Sequence, residues 1–352
     1  MVEKLKIIEL STVLAGPSVG MFFAELGAEV IKIENKTSDG DITRKWHQPI
    51  ENKAQPSAYF SSVNWGKTHL MMDFNNKEDK AEIYAMIQSA QVIITNFKYG
   101  DDQKFKLSFD DCKKINPSII YAHLGGFKSD KKRVAFDAII QAEAGFMSIN
   151  GEKESSGLKM PIAMMDILAA HQLKEGILVA LLKQQGNKKA FLVSTTLEES
   201  AFASLANQAS NFLMNKMNPE PLGSLHPNIA PYGEIITSSD QIKFILAIGT
   251  EKQFNKLAYF LELKEEQITA FNTIQKRVNK RKELLTIIQE KINHIKAETI
   301  YSYCLKNNLP IGKIKTIENV FANKIAREMV LEEKIENFDT KRVATVAFTI
   351  KE

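Results

Sequence analysis

The chain is poor in the residues and runs that mark several classes of protein. It has 352 residues but only two cysteines, Cys112 and Cys304, too few and too far apart for a disulfide framework or a thiolate metal site. That usage points to a reducing, cytoplasmic setting. The six histidines (47, 69, 123, 171, 226 and 294) show no ligand spacing, so no bound metal is expected. The longest unbroken apolar run, 177–182, is far too short to cross a bilayer, so no membrane partner is expected. The opening Met1-Val2-Glu3-Lys4-Leu5-Lys6-Ile7-Ile8-Glu9-Leu10 carries acids among its apolar residues and reads as a strand, not a secretory signal. Internal repeats and low-complexity tracts are missing, and so is a strong excess of one charge. A formal net charge of +4, evenly spread, argues against nucleic acid and is compatible with a small anionic ligand.

What is present is an ordinary globular composition, 44% apolar and 25% charged. Lys6-Ile7-Ile8-Glu9-Leu10 reads as a strand, Ala15-Gly16-Pro17-Ser18 as a turn, residues 19–26 as a helix stopped by Gly27, and residues 29–34 as a second strand. A βαβ unit of this kind implies a parallel sheet. The alternation continues with strands at 69–74, 91–95, 119–124 and 190–195, and helices at 77–90, 109–115, 135–147 and 197–213. The expected fold is α/β, with an open Rossmann-like parallel sheet over 1–200. A linker follows over 201–224, around Asn218-Pro219-Glu220-Pro221-Leu222-Gly223, then a smaller α+β domain over 225–324. Residues 325–352 are expected to return to the first domain, ending in a strand at 343–350.

One carboxylate stands out. Met160-Pro161-Ile162-Ala163-Met164-Met165-Asp166 leads into a helical pattern in which Ala170, Leu173, Ile177 and Leu181 continue one apolar face from Asp166. Most aspartates at helix starts only cap them. A carboxylate that heads a buried stripe can also be a nucleophile, if a reactive acyl group reaches it. The turn after the first strand invites a dinucleotide reading, but Ser18 takes the second glycine position of that fingerprint and Pro17 removes a donor. A phosphate-bearing ligand near this helix start remains compatible.

Several segments, in order, resemble one family. They are Ile8-Glu9-Leu10 with Val13-Leu14-Ala15-Gly16-Pro17, Ala24-Glu25-Leu26-Gly27-Ala28-Glu29-Val30-Ile31-Lys32-Ile33-Glu34, Gly40-Asp41 with Arg44, Tyr59-Phe60, Asn64 and Gly66-Lys67. Asn96-Phe97-Lys98-Tyr99-Gly100, Asn116-Pro117, the Asp166 segment, His226-Pro227 with Pro231-Tyr232-Gly233, and Leu309-Pro310-Ile311-Gly312 follow. Together they resemble the class III CoA-transferases, which include the formyl-CoA transferases and a racemase branch acting on α-methylacyl-CoA.

The resemblance implies that Asp166 attacks an acyl-CoA and that CoA passes through an aspartyl thioester to a carboxylic acid acceptor. It implies CoA contacts at Val13, Leu14, Ala15, Asn35, Met72, Asn75, Asn96, Phe97, Lys98, Lys104, Phe136 and Asp137. Coenzyme A is then a substrate, with no permanently bound cofactor, and the chain is expected to form an interlocked, ring-like homodimer. The racemase branch places a histidine before the aspartate at position 137; Phe136 cannot exchange a proton, which favours transfer over racemisation. A CoA-binding relative without turnover is the remaining alternative. Asn35, Tyr99 and Ala170 depart from the family's usual basic residue, proline and glycine, and residues 126–136 depart from its usual Gly-Pro-rich segment.

Overall fold

Ile7, Ile8, Ile93, Ile94 and Ile120 are fully buried, as strands covered on both faces require. In a computed structural model describing residues 2–351, they lie in a six-stranded parallel sheet. Its strands are β1 (Lys6–Leu10), β2 (Glu29–Asn35), β3 (Lys67–Met72), β4 (Val92–Thr95), β5 (Ile120–Gly125) and β6 (Phe191–Thr196). The spatial order is β3-β2-β1-β4-β5-β6. The order reverses between β1 and β4, and the crevice outside their carboxyl ends is where such sheets bind ligands. One face of the sheet is covered by the Ala15–Glu25 and Met164–Gln184 helices, the other by the Lys77–Ser89 and Phe109–Ile115 helices.

The chain divides into two compact units. The larger runs to Phe146, resumes over Lys159–Met217 and resumes again from Arg327; the smaller comprises Met147–Leu158 and Asn218–Ala326. Residues 201–217, read as the start of a linker, instead lie in the larger unit. The Leu197–Ala203 helix buries Leu197 and Ala201 in its core, and the Ala206–Asn215 helix follows. The smaller unit also takes in Met147–Leu158, where Gly223 N–H donates to the Gly151 carbonyl at 2.7 Å. Its sheet is antiparallel, β7 (Tyr232–Thr237), β8 (Lys243–Ala247) and β9 (Ile311–Lys313), packed with helices around Phe244, Phe254, Ile288 and Ile300.

Three further sequence expectations need correction. The helix expected at 197–213 is two, Leu197–Ala203 and Ala206–Asn215. The helix expected at 135–147 is two pieces, Asp137–Glu143 and Phe146–Ile149, broken where Gly145 takes φ +84°. The strand expected at 343–350 is not formed. The pairing lies earlier, in a hairpin of β10 (Val330–Ile335) and β11 (Phe338–Val343). Beyond it Glu25 accepts from the Thr345 and Val346 N–H groups at 2.9 and 2.8 Å, taking the amides that a strand would offer a neighbour. This returning segment belongs to the larger unit.

Candidate active site

The turn after β1 is held from two sides. Asn96, just past β4, accepts from Thr12 N–H at 3.0 Å and donates to the Thr12 carbonyl at 2.8 Å, tying the two loops of the switch point together. Val13 then takes φ +72°, a left-handed conformation that a β-branched residue adopts at a cost of order 1–3 kcal/mol. Both oxygens of Asp41 accept from its N–H, at 3.2 and 3.1 Å. The Ala15–Glu25 helix begins immediately, with no side-chain cap at Leu14. No acceptor among the described residues meets the Ala15 and Gly16 N–H groups, which leaves two donors at a helix N-terminus.

Beneath this turn lies a buried ionic cluster. Glu9 in β1 and Lys32 in β2 are register partners with no exposed surface, 3.0 Å apart. Lys32 also pairs with Asp41 at 3.2 Å and donates to the Ser11 carbonyl at 2.6 Å. The second oxygen of Glu9 meets Lys67 at 2.8 Å. Gly20 permits this approach, since a Cβ there would lie 1.8 Å from Glu9 Oε2. Arg44 grips Glu34 through two bonds of 2.7 Å, and His69 adds a third contact at 3.2 Å. Burial opposes the Lys32 charge, but Glu9, Asp41 and Glu34 outweigh it and hold its pKa above the ordinary lysine value. Burial likewise opposes the Glu34 charge, yet Arg44, His69 and Lys32 hold that carboxyl well below the usual range. The signal was legible: opposite charges sit mid-strand in two apolar runs that pair. Joining them needs the strand register, which places Glu9 opposite Lys32.

The second cluster is of another kind. Asp166 is the third residue of the Met164–Gln184 helix and is 8% exposed. It does not cap its own helix. Asp137, at the start of the Asp137–Glu143 helix, does so instead: its Oδ1 accepts from Met165 N–H at 2.8 Å while Oδ2 accepts from Gln141 at 2.7 Å. The Asp166 carboxyl accepts no hydrogen bond from the described residues, and its oxygens are not among the fully enclosed unpartnered atoms. Burial, with the Asp137 charge beside it, pushes the Asp166 pKa up to about 7. The half-buried Tyr59, edge-on to Trp46 at 5.1 Å, feels the same surroundings: burial and the carboxylates of Asp166, Asp137 and Asp41 push its phenol up to about 12. The sequence reading gave Tyr59 no role. Nothing in its local pattern separates it from an ordinary core tyrosine.

The remaining sequence-selected residues fall mostly along the carboxyl edge of the sheet. Leu14 and Ala15 follow β1, Asn35 ends β2, Met72 ends β3, and Phe97 and Lys98 follow β4. Asn35 is occupied in capping the next turn through Thr37, at 3.1 Å to its N–H. The Met72 side chain is 6% exposed, in the core with Phe74. Phe97 packs on Phe74 and Phe105, with ring centroids 6.1 and 5.9 Å away. Asn75, Lys98 and Lys104 are exposed, Lys104 lying 5.3 Å over the Phe105 ring. Phe136 is half exposed beside Asp137. Both thiols are buried and pushed up, Cys112 to about 12 and Cys304 to about 11, which makes them poor nucleophiles. Among the described residues no group of histidine, cysteine or acidic side chains is arranged to hold a metal ion, and no helix is long and apolar enough to cross a membrane.

The geometry thus defines an α/β protein with a strained turn and unpaired backbone donors at the switch point of a parallel sheet, and a desolvated carboxylate in the same unit. A family model described as CoA-transferase family III matches residues 2–351, and the chain belongs to that family: it is a CoA-transferase. It is 32% identical over 329 residues to a succinate–glutarate CoA-transferase of Agrobacterium fabrum, covering 91% of this chain and 81% of that one. It is 29% identical to the human succinyl-CoA:glutarate CoA-transferase, covering 91% and 73%. A crystal structure of a CaiB/BaiF family protein from Brucella suis has a TM-score of 0.87 and 31% identity, covering 99% of this chain and 92% of that one.

Proposed function

We propose that this enzyme transfers CoA between carboxylic acids through covalent chemistry at Asp166. The Asp166 carboxylate attacks the thioester carbonyl of an acyl-CoA, giving an acyl–aspartyl anhydride and releasing CoA thiolate. The thiolate attacks the aspartyl carbonyl, forming the aspartyl-CoA thioester and releasing the donor acid. The acceptor carboxylate attacks that thioester, again as an anhydride, and returning thiolate yields the new acyl-CoA and free Asp166. The observation that carries this reading is a carboxyl only 8% exposed that accepts no hydrogen bond from the described residues and has no cation among the causes of its shift. Such a group is poorly solvated and half ionised near neutral pH. Its own backbone N–H, in the first helical turn, meets no acceptor among the described residues and supports an oxyanion formed beside it.

Coenzyme A is the substrate, held by the turn Val13, Leu14 and Ala15 with Asn96, Phe97, Lys98 and Lys104. Asn35, Met72, Asn75, Phe136 and Asp137 complete the proposed contacts; the capping duty of Asn35 and the core packing of Met72 leave those two their backbone groups. By extension from the two relatives named for succinate and glutarate, donor and acceptor are short dicarboxylic acids. The working form is proposed as a homodimer, for which light scattering after size-exclusion should give twice the chain mass.

Incubation with succinyl-CoA, trapping with hydroxylamine or borohydride, and intact-mass measurement test the covalent step. Label at Asp166 is expected. A protein that turns over without any label there overturns it.

A further inference from the structure

We propose that Asp41, anchored by Lys32, is a positioning residue that holds Val13 in its left-handed conformation and so sets the shape of the CoA-binding turn. The inference rests on the reading of 13–15 as that turn. Its grounds are geometric. A valine at φ +72° does not stay there without restraint; Asn96 holds Thr12 before it, and the restraint on Val13 itself is the pair of bonds from its N–H to both Asp41 oxygens. Asp41 is itself fixed. It has no exposed surface, lies 3.2 Å from Lys32 Nζ, and accepts from Thr43 N–H and Oγ1 at 3.1 and 2.8 Å. Glu34 takes the Asp41 N–H at 2.8 Å, so the backbone cannot drift. Lys32 reaches the same loop from below by donating to the Ser11 carbonyl at 2.6 Å.

One strand cation therefore fixes both the residue two before Val13 and the carboxylate that grips Val13. The product of that arrangement is the placement of the free Ala15 and Gly16 N–H groups at the helix start. A carboxylate retained only to neutralise Lys32 would have no reason to share both oxygens with a strained backbone amide.

The test is a glycine rescue. Glycine adopts positive φ without restraint, so it removes the need for the clamp but not for the ion pair. Wild type, Asp41→Asn, Val13→Gly and the double variant would be titrated with free CoA by calorimetry, with kcat, KM and urea midpoints measured alongside. Asp41→Asn is expected to weaken CoA about tenfold and raise KM in step, with kcat little changed. Val13→Gly also removes a side chain proposed to touch CoA, so it serves as the reference for the double variant. Adding Asp41→Asn to Val13→Gly should cost less than about twofold in affinity while the urea midpoint still falls, because Lys32 remains unpaired by Asp41. Should Asp41→Asn not fold, Thr43→Val loosens the carboxylate more gently, with about a threefold loss in the wild-type background and almost none in the Val13→Gly background. Equal CoA affinity in wild type and Asp41→Asn, or the same tenfold loss when Asp41→Asn is added to Val13→Gly, overturns the inference. Failure of wild type to bind CoA overturns the reading of the turn itself, a distinguishable result.

Discussion

Two clusters of carboxylates in the larger unit are both buried, one fully enclosed and the other 8–9% exposed, and have opposite electrostatics. In the Glu9–Lys32–Asp41 cluster every acid meets a cation or several donors, and Glu34 close by is held well below its ordinary range. In the Asp137–Asp166 pair there is no cation; Asp137 is satisfied by a helix N-terminus and Asp166 is left with nothing, so its carboxyl rises to about 7. Burial alone therefore does not mark a reactive group. What marks it is burial without compensation, which a fold tolerates only at a cost in stability.

The largest effect that separates the two clusters is on turnover. Asp166→Ala should lower kcat by about ten-thousandfold or more while CoA affinity stays within a fewfold of wild type, because the proposed nucleophile is lost and no proposed binding contact is. Turnover at more than a tenth of the wild-type rate would place the chemistry elsewhere. Next comes stability in the other cluster. Lys32→Met leaves Glu9 with Lys67 alone and Asp41 without a cation; removing one partner of such a buried pair costs about 3–5 kcal/mol, read from urea denaturation. A loss below about 1 kcal/mol would mean that the cluster is wetter than its geometry implies.

Asp166→Asn should instead stabilise the protein, and only above acid pH. The Asp166 carboxyl is raised from about 3.8 to about 7 on folding, so its full contribution to stability is present below the unfolded value. That contribution drains away as pH rises through about 7. An asparagine cannot ionise and escapes the loss. The difference in unfolding free energy should be below about 1 kcal/mol at pH 4 and grow to on the order of 4 kcal/mol at pH 8. A difference independent of pH would assign it to packing.

Much of this was readable in advance, for identifiable reasons. The parallel sheet followed from short apolar runs such as Ile7-Ile8 and Val92-Ile93-Ile94, and the Asp166 helix from the apolar face at Ala170, Leu173 and Ile177, all now buried. The cap supplied by Asp137 was not readable, because it bridges residues 28 apart in sequence and depends on how two helices meet. The tail after Val343 misled because alternation of apolar and polar residues records a possible strand, not whether a neighbour offers backbone to pair with; a single carboxylate, Glu25, took its amides. Lys32 was hidden by its type: a lysine reads as surface until its strand partner is known to be Glu9.

The smallest effect probes the like charge within the uncompensated pair. In Asp137→Asn the remaining carboxamide oxygen can still accept from Met165 N–H, so the start of the Met164–Gln184 helix is kept. The negative charge beside Asp166 is removed. Burial is the larger cause of the Asp166 shift and persists, so the group should move only part of the way back toward an ordinary aspartate. The pH at which labelling of Asp166 by acyl-CoA reaches half its maximal rate, near 7 in wild type, should fall by about one unit, with the plateau rate at high pH changed less than the midpoint. An unmoved midpoint would assign the whole shift to desolvation and leave Asp137 as a helix cap only. A fall all the way to an ordinary carboxylate value would make the paired charge, and not burial, what separates this pair from the balanced cluster under the Val13 turn.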